Sequence, residues 1–148
     1  MSLSLELEIG IGAVVAVVLA VIILCKWPRK LNPQDFLAKW KSLQALCREK
    51  ITWPEALSEA DMLLDKALKK RKYKGKSMGE RLVSAQRIFT NNDAVWFAHN
   101  MCKKVLADPD VRIREDDIKA ALIGFRQALR DLGALPSNQE TKSDESRT

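Results

Sequence analysis

The sequence predicts an all-α protein, an N-terminal transmembrane helix followed by a small bundle of about five helices. Three observations lead there. Residues 9–25 hold no charged side chain. The rest of the chain is divided by cap and proline signals into segments whose apolar residues recur every three or four positions. Outside the apolar run, no segment alternates apolar and polar residues over the length of a strand. The 148 residues suit one domain with one modest core.

Ile9 to Cys25 reads IGIGAVVAVVLAVIILC. Its seventeen residues rise about 25 Å as a helix, close to the hydrocarbon thickness once Leu3–Leu7 add a turn. Val and Ile favour strand in water, but a lone strand in lipid leaves its backbone unpaired, so helix is expected. The leader MSLSLELE carries Glu6 and Glu8 and no basic residue, and no small-x-small site follows the run. Both features oppose a cleaved signal peptide and favour a retained anchor. Lys26, Arg29 and Lys30 follow the span, with Trp27 at the position of an interfacial aromatic. Basic flanks stay inside. The expected layout is residues 1–8 outside the cell membrane, 9–25 spanning it and a basic juxtamembrane linker at 26–34. A cytoplasmic bundle at 35–135 and a disordered tail at 136–148 follow. Gly10 and Gly12 do not form GxxxG, so dimerisation through the span has little support.

Within the bundle, Asn32-Pro33 opens a helix with the stripe Phe36, Trp40, Leu43 and Cys47. Thr52-Trp53-Pro54-Glu55 reads as the capping box of the next, with Leu57, Ala60, Leu64, Ala67 and Leu68 on its buried face. A basic tract, Lys66 to Lys76, ends it, and Gly75 breaks the chain. Ser77-Met78-Gly79-Glu80 repeats the capping spacing before Leu82, Ala85, Ile88 and Phe89. Asn91-Asn92-Asp93 starts a helix with Val95, Trp96, His99, Cys102, Val105 and Leu106, which Asp108-Pro109 ends. Asp116-Asp117 sit in the first turn of the last helix, where carboxylates suit the helix dipole. Its stripe is Ile118, Ala121, Leu122, Phe125, Leu129 and Leu132, and Gly133 terminates it. The tail from Pro136 has too few apolar groups to offset the entropy of ordering.

Residues 26–136 carry 23 basic and 14 acidic side chains, a net +9. Three cysteines without close spacing and a single histidine oppose a disulfide framework and a metal centre. No nucleotide-loop, zinc-protease, nucleophile-elbow or calcium-loop pattern occurs, and no cofactor is implied. The strongest local feature is Lys69, Lys70, Arg71, Lys72, Lys74 and Lys76, with Tyr73 among them. Together with Lys103 and Lys104 they are candidates for gripping RNA phosphates or anionic lipid heads. Cations at a helix C-terminus also simply complement the dipole, and the tract holds no base-reading pattern, so RNA binding would be independent of sequence. His99 and Cys102 share a helical face without a third group to orient them. A structural histidine and a core cysteine are expected. Trp40, Trp53 and Trp96 read as core or helix-junction residues.

The runs Trp53-Pro54-Glu55-Ala56-Leu57, Ala60 to Leu68, Tyr73-Lys74-Gly75, Met78 to Leu82 and Trp96-Phe97-Ala98-His99 resemble a class of uncharacterised bacterial single-pass membrane proteins with a HEPN-like helical domain. The similarity covers roughly residues 50–135. It implies a ribonuclease pattern of Arg, a polar residue and His. Here Cys102, Lys103 and Ala107 stand at those positions, so the resemblance implies the fold without the catalytic pair. It also implies homodimerisation. The leading expectation is a non-enzymatic, membrane-tethered interaction module with a protein partner or a second copy. RNA binding, with or without residual ribonuclease cleavage, and adhesion to anionic lipid are the alternatives.

Overall fold

The computed structural model describes residues 2–137. Among them there is no strand, and six α-helices carry the fold: α1 Ser2–Lys26, α2 Pro33–Leu46, α3 Trp53–Lys70, α4 Met78–Ala85, α5 Asn92–Ala107 and α6 Glu115–Asp131. A single 3-10 turn, Lys50–Thr52, leads into α3. The expected long apolar helix followed by a five-helix bundle is the architecture found. Of the expected tail, residues 138–148 lie outside the described residues.

Among the described residues, α1 is the one helix long and apolar enough to cross a membrane, and none of its apolar length is buried. Residues 2–8 continue the same helix instead of forming a separate segment. The connection to α2 is therefore short, residues 27–32.

Most of the predicted helix starts are built from the expected groups. The Asn32 side chain accepts from the Gln34 N–H (3.1 Å), Ser77 Oγ from Glu80 N–H (3.2 Å), and Asn91 Oδ1 from Ala94 N–H (3.0 Å). Each satisfies a donor that the first helical turn leaves over. Thr52 departs from its expected role. Its hydroxyl donates backwards, to the carbonyls of Leu46 and of Glu49 (2.9 Å for the second), and does not cap α3. Trp53 Nε1 donates to the Cys47 carbonyl at 3.1 Å. The end of α2 competes for these donors and wins, because its last carbonyls have no partner within the helix.

α3 is the central helix, packed against α2, α4, α5 and α6. Leu57, Ala60, Leu64, Ala67 and Leu68 are fully buried along it. The core is completed by Phe36, Trp40 and Leu43 from α2, Leu82 and Ala85 from α4, Val95 and Ala98 from α5, and Ile118, Phe125 and Leu129 from α6. Two expected core positions differ. Leu106 is 62 % exposed, and Ile88 lies outside α4 on the surface. α4 stops at Ala85, and the chain then turns so that Thr90 donates both its N–H and its hydroxyl to the Asp131 carboxylate (2.8 Å each). This pair of hydrogen bonds joins the start of α5 to the end of α6, so the two helices run antiparallel. Phe89, in the same turn, remains buried.

Candidate functional site

The basic tract begins where α3 ends. Lys72 N–H bonds the Lys69 carbonyl (3.0 Å) and Tyr73 N–H the Leu68 carbonyl (3.1 Å), the paired closure that satisfies a helix's last acceptors. This closure requires a left-handed residue, usually glycine. Lys72 occupies it at φ 64°. A side chain there is strained by about 1–2 kcal/mol. Lys72→Gly is therefore expected to raise stability by about 0.5–1 kcal/mol, read as a higher denaturation midpoint.

The six tract residues divide by what they touch. Arg71 Nε donates to the Leu132 carbonyl at 2.9 Å, tying the end of α3 to the end of α6. Lys70 lies over the Phe36 ring, 5.6 Å from its centroid, and its carbonyl accepts from Arg29 N–H (3.2 Å). Lys69 pairs with Asp65 at 2.6 Å. No ion pair among the described residues engages Lys72, Lys74 or Lys76, and all three are exposed.

The loop that carries these three is fixed from beneath. Arg81, 7 % exposed, donates from Nη1 to the Gly75 carbonyl (2.7 Å) and from Nε to Asp65 (2.6 Å). Ser84 Oγ donates to the Lys74 carbonyl (2.6 Å), and Glu80 accepts from the Lys76 N–H (2.7 Å). At Gly75, φ 155°, a Cβ would lie 2.7 Å from the backbone nitrogen of Arg81, so a side chain does not fit. Burial acts to raise the Asp65 carboxyl, but the hydrogen bonds from Arg81 and Lys69 outweigh it and hold the group below the usual carboxylate range. The result is a cleft of ≈ 670 Å³ between the loop and α4, lined by Lys69, Lys72, Tyr73, Lys74, Lys76 and Arg81 among others.

The other candidates fall into two places. Lys26 ends α1, and Trp27, Arg29 and Lys30 are exposed just beyond it. The Arg29–Lys70 bond brings this collar against the tract. Lys103 and Lys104 are exposed near the end of α5. The start of α5 is the end joined to Asp131, beside Leu132 and Arg71. Eleven residues of helix, about 16 Å, separate that end from Lys103. Lys103 and Lys104 thus lie far along α5 from the end that adjoins Arg71, although α5 also meets the start of α4 at Trp96 and His99.

His99 does have an orienting group that the sequence spacing conceals. Nδ1 lies 2.8 Å from Asp61 Oδ1 on α3, and Trp96 meets the ring edge-on at 6.0 Å. Cys102 sits on the same face, but burial, with the Asp61 charge added, pushes its thiol up to about 12. A thiol of that kind is protonated at neutral pH and supplies no nucleophile. Maleimide applied to the folded chain is expected to leave Cys102 unmodified until denaturant is added, as peptide mass spectrometry would read. Lys103 and Ala107, the other two positions of the ribonuclease pattern, are exposed. Among the described residues no group of three or more His, Cys, Asp or Glu side chains is placed to hold a metal ion.

No protein-family model, no curated protein and no solved structure matches this chain.

Proposed function

We propose that the protein is a membrane-anchored, non-enzymatic helical interaction module whose bundle faces the cytoplasm. The observation that carries this is the pairing of an apolar helix that buries none of its length with a bundle that closes its own core. A helix covered by hydrophobic side chains on every face needs hydrocarbon around it. The basic collar of Lys26, Arg29 and Lys30 supports an inward-facing bundle, since such flanks are retained on the cytoplasmic side. The resemblance to HEPN-like proteins, with Cys102 and Ala107 in place of the reactive pair, supports binding instead of turnover. Neither a protonated thiol nor a methyl group moves a proton or holds a phosphate charge.

Tethering confines the module to two dimensions, where weak contacts with a protein partner or a second copy become effective. The first test is protease applied to intact cells carrying a tag at each end of the chain. The amino-terminal tag should be lost and the bundle spared; digestion of the bundle overturns the orientation. The second is crosslinking of the full chain in its membrane. Recovery of the monomer alone, with no partner and no dimer, removes the interaction role.

A further inference from the structure

We propose that the cleft between the 71–77 loop and α4 binds the phosphate of an anionic lipid headgroup, in the leaflet surface from which α1 emerges. The inference rests on the anchored reading above.

Charge is the first argument. Complementing the helix dipole accounts for Lys69 and Lys70, which lie in the last turn of α3. It does not account for Lys72, Lys74 and Lys76, which lie beyond that turn, where the effect has faded. These three ammonium groups border one cleft and have no carboxylate partner among the described residues. Of the acids near them, Asp65 is paired with Arg81 and Lys69, while Glu80 lines the cleft and keeps its charge as it accepts from the Lys76 N–H, leaving the cations of the cleft in clear excess.

Preorganisation is the second. A solvated lysine run would be a loose loop. Here a buried arginine, a serine and a glutamate each hold one backbone group of the loop in place. Lys72 also keeps a left-handed backbone that glycine would adopt without strain. A strained lysine retained on an otherwise well-anchored loop points to a use for its side chain.

Position is the third. Lys72 and Tyr73 line the cleft and also a neighbouring groove that contains Pro28, two residues past the end of α1. The Arg29 N–H to Lys70 bond fixes the same proximity. The cleft therefore opens at the end of the bundle that adjoins the membrane helix, where lipid phosphates are the anions at hand. Tyr73, amphipathic and half-buried, suits that interface.

The test uses the full chain in nanodiscs of phosphatidylcholine alone or mixed with phosphatidic acid. Lysine acetylation rates are read by peptide mass spectrometry. The expected result is slowing at Lys72, Lys74 and Lys76 in the acidic discs, roughly fivefold or more at each. Rates at Lys103 and Lys104 should stay unchanged, and the protection should fade with added salt. Hydrogen exchange at residues 73–75 should slow in acidic discs for the wild type and for the K103E/K104E variant. It should not slow for K72E/K74E/K76E, whose folding is checked by circular dichroism.

Equal rates in the two discs overturn the proposal, as does equal slowing at Lys103 and Lys104. Protection in neutral discs by added glycerol phosphate, as strong as in acidic discs, would assign the cleft to a soluble phosphate and overturn the lipid source. Stronger protection by single-stranded RNA would do the same in favour of RNA. Nanodiscs expose both faces, so failure here leaves the cellular orientation standing, whereas digestion of the bundle in intact cells removes the anchored reading itself.

Discussion

Gly124→Val is expected to unfold the bundle at denaturant concentrations where the wild-type chain remains native. α5 and α6 cross at this glycine so closely that a Cβ would lie 2.6 Å from the Ala94 carbonyl oxygen and 3.0 Å from its carbon. Both are backbone atoms of a helix, so no rotamer change relieves the contact. The helices must separate, and separation opens the core around buried Val95, Phe125 and Ala128. Overpacking of this kind costs about 1–3 kcal/mol for a modest intrusion and more when backbone must move, so a loss of about 3 kcal/mol or more is expected. Alanine places the same Cβ against Ala94 but gains about 1 kcal/mol of helix propensity, and its loss should be smaller. Gly10→Ala is the control, since nothing lies within 4 Å of a Cβ there. Urea midpoints of the full chain in detergent, followed by tryptophan fluorescence, separate these outcomes. Equal midpoints for Gly124→Val and the wild type would mean that the helices do not meet at this crossing.

Arg81→Ala is expected to cost about 3 kcal/mol, by a different route. The Arg81 side chain is 8 % exposed, and its guanidinium joins the Asp65 carboxylate to the Gly75 carbonyl. Removing one member of a buried pair strands the other's charge, which costs about 3–5 kcal/mol when burial is complete. Asp65 retains Lys69 as a partner at 2.6 Å, which places the loss at the lower end of that range. Replacing both residues, Asp65→Ala with Arg81→Ala, should cost less than the sum of the single changes, as expected of groups in direct contact. The same pair sets an acid dependence. The native Asp65 carboxyl titrates below its unfolded value, about 3.9. Its contribution is therefore complete above that unfolded value, and it is lost as pH falls through the depressed native one. Arg81→Ala should flatten this acid limb in urea titrations between neutral pH and pH 3. An unchanged limb would show that Asp65 draws its low pKa from elsewhere.

The site was only half legible beforehand. Lys69 to Lys76 stand out as a charge run, and Gly75 and Ser77 mark where the chain breaks and restarts. Which lysines remain available is another matter. Lys70 and Arg71 look identical in kind to Lys72, yet one lies over Phe36 and the other is spent on the Leu132 carbonyl. Nothing in the spacing of the short helix α4 singles out Arg81, yet it is the buried post under the loop. His99 reads as solitary because Asp61, its partner, lies on a different helix. Gly124 carries little signal in an unbroken helical stripe. A weak hint lay in its position between Leu122 and Phe125, at the centre of an apolar face where a small residue permits close approach.

The sequence by itself determined the apolar helix, the number of bundle helices and most of their starts. Asn32, Ser77 and Asn91 act on donors within three residues, and the stripes of α3 and α6 follow from the helical repeat. Such interactions close within about one turn, so composition and spacing reveal them. The tertiary structure alone decided that the collar after α1 meets the end of α3, that the start of α5 adjoins the end of α6, and that three lysines stay unpaired around a fixed loop. Those outcomes depend on which helices pack together and in which direction. That choice is made by the shapes of whole faces and by contacts between residues far apart in the chain, and it leaves no periodic mark on the sequence.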